Sequence, residues 1–267
     1  MIKFGLLPIR IQILLLTLIV ALPAIAIIIY SGLNMRQMVL ESAKTETNQL
    51  VENIAIEQKN LEASAMQLIT VIEQLPYLKN KNRKRMTDIL ANTVKLNTQF
   101  TNLLIADKNG EVWAHGLPVS STFNASDRRY FINALSSGHI SSGEFIRSRL
   151  TSQPVFNLAY AYKNSNNEID GVFIIALTLG YYNKTLKRSS LAQYAHFMLL
   201  DHKGVVLYNS SEKDNYIGKE YNKKDFMDMQ SGPDINTYVS KTSDSDTKSI
   251  LSYRKLWLHG EETPYLY

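Results

Sequence analysis

The apolar positions of this chain fall into three regimes. From Ile13 to Tyr30 they are almost continuous (ILLLTLIVALPAIAIIIY), broken only by Thr17 and Pro23, and residues 11 to 35 contain no charged side chain. About 20 residues at about 1.5 Å each cross a hydrocarbon core of about 30 Å, so the run is long enough to span a membrane. A cleaved signal peptide is the rival reading, because Lys3 and Arg10 precede the run and Ala21 to Ala26 offers small residues. Signal-peptide cores are about 7 to 15 residues long, and this run continues through Ile27, Ile28, Ile29 and Tyr30, which favours a retained span. Lys3 and Arg10 lie on one side, whereas Arg36, Glu41, Lys44 and Glu46 cancel on the other. That bias orients the N-terminus toward the cytoplasm. Residues 1–10 are then cytoplasmic, 11–33 transmembrane, and 34–267 extracytoplasmic.

The second regime has helical spacing. No glycine or proline occurs between Gly32 and Pro76, and Leu61, Ala65, Leu68, Ile72 and Leu75 recur three or four residues apart. This predicts one long stalk helix over 34–80, rising about 65 Å from the membrane, with a packing face on its outer half. Nearer the membrane, Met35, Met38, Leu50 and Ile54 form apolar positions that no sheet is expected to cover, which suggests a homodimer through the stalk. A shorter helix follows around Met86 to Phe100.

Beyond Phe100 the pattern turns to strands, and one unit occurs twice. LLIADKNGEVWA (103–114) and FMLLDHKGVVLY (197–208) align without gaps. Each is an apolar strand, an aspartate, two polar residues, a glycine and a second strand, the pattern of a tight hairpin. After the first copy, Ser126 or Asp127 can cap a helix from Arg128 to Leu135 that Gly138 closes. Three strand candidates follow: Gly143 to Arg149, Val155 to Lys163 and Gly171 to Leu179. The expected unit is a five-stranded antiparallel sheet with helices on its faces. Val172 to Ala176 is apolar at every position, so neither face of that strand meets water. One face should pack on the long helix, and the other should line a space under the short helix. The second copy is thinner. NKTLKRSSLAQYA (183–195) links the modules as a helix, residues 222–229 form a short helix, and NTYVS and ILSYRKLW are strands flanking KTSDSDTK. The domain reading is therefore 81–182 as a membrane-distal module and 183–267 as a membrane-proximal module, incomplete at its C-terminal end.

Composition narrows the chemistry. With 29 basic and 24 acidic residues the net charge is only +5, and KNKNRKR (79–85) is the one basic run. It reads as a solvated turn rather than a nucleic-acid surface. The chain has no cysteine, which excludes disulfides, thiolate catalysis and cysteine-bound metals. Its five histidines occur singly and without metal-ligand spacing, and no nucleophile elbow or phosphate loop appears. No enzyme, cofactor or metal is expected. The candidate binding residues are Arg128, Tyr130 and Phe131: a guanidinium at a helix start offers a planar donor fork to a carboxylate, and aromatic walls exclude water. The bland alternative is that Arg128 or Arg129 pairs with a surface acid such as Glu144 while Tyr130 and Phe131 fill core.

DRRYF (127–131), GEFIRSRLTSQPV (143–155), GVFIIALTL and the repeated hairpin together resemble the double Cache domain. This is the extracytoplasmic (periplasmic) sensor of chemoreceptors, sensor histidine kinases and diguanylate cyclases. The resemblance implies an α+β fold: a transmembrane helix, a long stalk helix and two tandem PAS-like modules with antiparallel sheets. It also implies a single-pass protein of the inner (plasma) membrane that takes part in chemotaxis or two-component signalling. A small-molecule ligand would sit in the distal module, and a cytoplasmic output would lie beyond this sequence. Arg128, Tyr130 and Phe131 match the arginine and aromatics of the amino-acid-binding subgroup. Ile146, Ser148 and Ala176 stand where that subgroup has a tyrosine and two aspartates. Without those acids an ammonium would lack its partner, so a small carboxylate, another anion or a neutral polar molecule is expected, with Ser148 as a donor. An anchored structural or adhesion module without a small ligand is the alternative.

Overall fold

A computed structural model of the protein describes residues 8–117, 123–179, 195–211, 216–241 and 248–267. The expected linking helix at 183–195 and the polar turn KTSDSDTK lie almost wholly outside these residues.

The absence of helix breakers is realised as a single helix, α1, over Ile9–Glu73, which carries Pro23 inside it. At about 1.5 Å per residue it is about 98 Å long. It stops short of the expected position 80, because Pro76 forces extended backbone on Leu75 (ψ 131°) and starts a separate turn, α2 (Pro76–Lys79). The apolar run is exposed along its length, with Ile27, Ile28 and Tyr30 all more than 65% accessible. The buried stripe is Leu50, Ile54, Ala55, Gln58, Leu61, Ala65, Ile69 and Ile72. Leu68 and Leu75 are only partly buried, and Ile69 takes the inner position. The expectation that Leu50 and Ile54 stay uncovered by a sheet is corrected: they are 8% and 4% exposed. The last two strands of the chain pack on α1, and an ion pair between Arg254 and Glu52 ties them to it. Met35 and Met38 do remain exposed.

Asn82 caps α3 (Arg83–Leu96) by accepting from the Arg85 N–H at 3.1 Å. The distal sheet then has the order β2-β1-β6-β5-β3. Its strands are β1 (Phe100–Asp107), β2 (Val112–His115), β3 (Ser141–Ser142), β5 (Pro154–Lys163) and β6 (Ile169–Leu177), all antiparallel. The strand expected over Gly143–Arg149 is broken. Only Ile146–Arg147 (β4) pairs, with the start of β5, and Ser152 then turns the chain at φ 57°. Val172 through Leu177 are buried at every position. Phe173, Ile175 and Leu177 join the core of Ile69, Ile72 and Leu90, whereas Val172 and Ile174 join Tyr130, Phe131 and Ala134 on the other face. At about 1.5–3 kcal/mol per fully buried large side chain, these two layers hold the module together. The second layer is α4 (Arg129–Ser137), closed by Gly138 in the left-handed conformation.

The proximal module contains β7 (Met198–Leu200), β8 (Val206–Asn209), α5 (Lys223–Ser231), β9 (Ile235–Lys241) and β10 (Lys248–Arg254). The β1–β2 and β7–β8 hairpins are the same structure twice. In the first, Asp107 Oδ1 accepts from the N–H groups of Asn109 and Glu111, both at 2.9 Å. In the second, Asp201 Oδ1 accepts from those of Lys203 and Val205, both at 2.9 Å. Gly110 and Gly204 follow at φ 85° and 80°, and each first strand slips register one residue before its aspartate.

Candidate ligand-binding site

The N-terminus of α4 carries two consecutive arginines whose side chains have different partners. Arg128 is the N-cap residue and makes no side-chain cap, so the expected cap from Ser126 or Asp127 is corrected. Asp127 instead receives two bonds from Arg149, at 3.1 and 2.7 Å. That bond, ahead of the charge of Arg128, holds the Asp127 carboxyl below its ordinary range. Arg128 Nε lies 3.8 Å from Asp127.

Between α4, the β4–β5 turn and the sheet lies a cavity of about 460 Å³ counting its mouth, of which about 30 Å³ admits the centre of a water molecule. That is room for two or three waters. Arg128, Tyr130, Ile146, Ser148 and Ala176 all line it. The Arg128 side chain is 21% exposed, so it is part of the wall rather than free in solvent. Burial raises the Tyr130 hydroxyl above its ordinary range. Ser148 Oγ accepts from the N–H groups of Leu150 and Thr151 at 3.2 and 3.3 Å, which leaves its proton to donate. Phe131 is not brought to the cavity: it is 2% exposed and packs with Ala134 and Val172 under the helix. Consecutive residues on a helix point about 100° apart, and here that turn sends Tyr130 to the cavity and Phe131 into the core.

Arg149, Asn102 and Asn157 also line the cavity and were not singled out from the sequence. The asparagines could have been found, since each interrupts a strand that is otherwise apolar at inward positions. Arg149 had no local signal, because its partner lies 22 residues away. Two arginines against one aspartate leave the mouth of the cavity with a net positive charge, and its lining offers amide, hydroxyl and apolar groups. The charge and donors of such a setting are complementary to a small anion.

Arg129 points to the other module. Its Nη1 donates to Ser142 O (3.2 Å), Ser142 Oγ (2.9 Å) and Gly143 O (3.0 Å), and Nη2 lies 3.6 Å from Glu261. The Glu261 carboxylate accepts from the Ser142 N–H at 2.8 Å and from the Ser142 hydroxyl at 2.9 Å. Beside this, Asp201 Oδ2 accepts from the Phe145 N–H at 2.9 Å, and Lys203 pairs with Glu144. Glu144 thus serves the joint between modules and forms an ion pair with neither arginine, which pair instead with Asp127 and Glu261. Tyr265, fully buried, stacks on Phe156 of β5 and bonds to Gln58 and Glu62 of α1. Burial pushes the Glu62 carboxyl up to about 7. Among the described residues no group of histidines and acids could hold a metal.

A family model described as a Cache domain matches residues 35–257. The extracellular domain of rpHK1S-Z16 shares 16% identity and superposes with a TM-score of 0.67, covering 86% of this chain and 94% of that one. The ligand-binding domain of the Campylobacter jejuni chemoreceptor Tlp3, solved with 4-methylisoleucine, gives 13% identity and a TM-score of 0.59 over 79% and 85% of the two chains. The sensor domain of the V. cholerae histidine kinase DctB gives 17% and 0.55 over 85% and 90%. At these identities the likeness is one of fold. Sporulation kinase D of Bacillus subtilis is 23% identical over 129 residues, 48% of this chain and 25% of that protein. This chain therefore matches about a quarter of the length of its curated relative.

Proposed function

The chain belongs to the Cache domain family, as a double Cache sensor domain, and on that premise we propose that it senses a small anion outside the cytoplasm. The observation that carries this is the cavity under α4 with Arg128 in its wall and Arg149 at its edge. In this reading Arg128 grips the anion, Tyr130 and Ile146 shut out water, Ser148 donates to it, and Ala176 forms the floor. A cavity that is not filled by its own side chains supports this over a purely structural or adhesive role.

The Ile13–Tyr30 run fixes the protein in the inner membrane with the two modules outside it. The chain does no chemistry itself, and a kinase or cyclase output would belong to another part of the protein. A ligand that prefers one arrangement of α4 shifts the population toward it by no more than its differential affinity. The Arg129–Glu261 joint and the contacts of Tyr265 with α1 are the physical links from the cavity to the membrane. Met35 and Met38 lie where a second copy can pack, giving a homodimer.

The test is a thermal-shift screen of the full chain in detergent against small organic acids, amines and amino acids. An acid should raise the melting temperature, and Arg128→Ala should abolish the shift. Acids without effect across broad classes would refute the reading.

A further inference from the structure

The floor of the cavity is an uncharged row across three paired strands. Asn102 of β1 and Asn157 of β5 both stand opposite Ala176 of β6, on either side of it. The two amides differ in what they have left to offer. Asn102 Oδ1 already accepts from the N–H groups of Leu103 (2.9 Å) and Gly116 (3.0 Å). Asn157 is 5% exposed; its side chain hydrogen-bonds the Tyr130 hydroxyl, while its Oδ1 is buried with no hydrogen-bond partner among the described residues. An orphaned buried acceptor is uncommon in folded proteins, and one in a cavity wall marks where a donor from outside fits.

The donor must be neutral. Ile146, Ser148 and Ala176 supply no acid, and Asp127 is engaged by Arg149. An ammonium drawn onto Asn157 would lose its water without gaining a counter-charge, whereas a hydroxyl gains the acceptor at little desolvation penalty. The space is small, so the molecule must be short. Resting on the anion-site reading above, we propose that the cavity selects 2-hydroxy carboxylates of two or three carbons. The carboxylate lies on Arg128, and the adjacent hydroxyl donates to Asn157 Oδ1. Asn157 is then the specificity-determining residue, and Arg128 the affinity-determining one.

The experiment is calorimetric titration of the full chain in detergent micelles with glycolate, L-lactate, propionate and L-alanine, on the native protein, Arg128→Ala and Asn157→Leu. Native protein should bind lactate at least tenfold tighter than propionate, which lacks only the hydroxyl, and tighter than alanine. Asn157→Leu should leave propionate within threefold of its native affinity and reduce the lactate preference below threefold. Should Asn157→Leu fail to melt cooperatively, the native lactate-to-propionate ratio decides alone. Equal binding of lactate and propionate, both lost in Arg128→Ala, would overturn the hydroxyl contact and leave the anion site standing. Tighter binding of alanine would overturn the neutral-donor argument. Binding of none of the four would overturn this inference, while the anion site itself would fall only if the broader screen of acids were also without effect.

Discussion

Replacing Glu261 by alanine should loosen the two modules from each other by an amount that its contacts allow to be worked out. The carboxylate takes two bonds from Ser142, at 2.8 and 2.9 Å, and lies 3.6 Å from Arg129, with side-chain exposures of 10% for Glu261 and 23% for Arg129. Removing it strands the Ser142 N–H, which costs about 1–3 kcal/mol when buried. Arg129 keeps its three carbonyl and hydroxyl contacts but loses its counter-charge, a smaller loss because the guanidinium is partly solvated. Together these come to about 2–3 kcal/mol. For a chain of this size each kcal/mol shifts melting by about 2–4 °C, so a drop of about 4–12 °C is expected. The assay is a double-mutant cycle with Arg129→Ala, read by thermal melts. Because both residues meet at Ser142, the double variant should be more stable than the sum of the single losses implies, by about 1 kcal/mol or more. Losses that add within about 0.5 kcal/mol would show that the two side chains do not act together and would refute the joint.

Glu62 and His202 make opposite predictions for pH. The raised Glu62 carboxyl, about 7 against an ordinary 4.5, means the folded state holds this proton more tightly than the unfolded state. Stability should therefore fall as pH rises from about 4.5 to about 7, and Glu62→Gln should raise the melting temperature at pH 8 but not at pH 4, an effect on the order of 1–3 kcal/mol. His202 is held below its ordinary value by burial and then by the charge of Arg129, so its contribution is lost as pH falls below about 6.5, and His202→Asn should flatten that acid limb. Gly110→Ala should cost about 2–3 kcal/mol in chemical denaturation, since φ is 85° and a Cβ would meet the Ser126 backbone nitrogen at 2.5 Å; an unchanged midpoint would contradict the turn. Because the chain has no cysteine, Met38→Cys alone should give an oxidised dimer in membranes, and no more of it than Lys79→Cys gives would count against pairing through α1.

Much of the architecture was legible because it follows from backbone rules that act locally. The glycine-free stretch gave α1, D-x-x-G gave both hairpins, and Gly138 closed α4 where a left-handed residue was required. The unbroken Val172–Ala176 run announced a strand covered on both faces. What failed were features decided by distant partners. Asp127 looked like a helix cap but is drawn off by Arg149; Leu50 and Ile54 looked uncovered but are buried on a helix against which strands 180 or more residues further on pack. The cavity was half legible. Arg128 and Tyr130, marked by the helix start and by the family resemblance, line the cavity, whereas Phe131, grouped with them, lies in the core beneath α4. The two asparagines were visible only as polar breaks in apolar strands, and which side of the sheet they faced depended on register.

The doubled hairpin also bears on how the modules are held together. Closing such a turn uses a single carboxylate oxygen and leaves its twin idle. In the β7–β8 turn that idle oxygen accepts from the Phe145 N–H of the other module. The weld between the modules therefore draws, on that side, on an atom that the turn leaves unspent, so a change of Asp201 would undo a local fold and a long-range joint at one stroke.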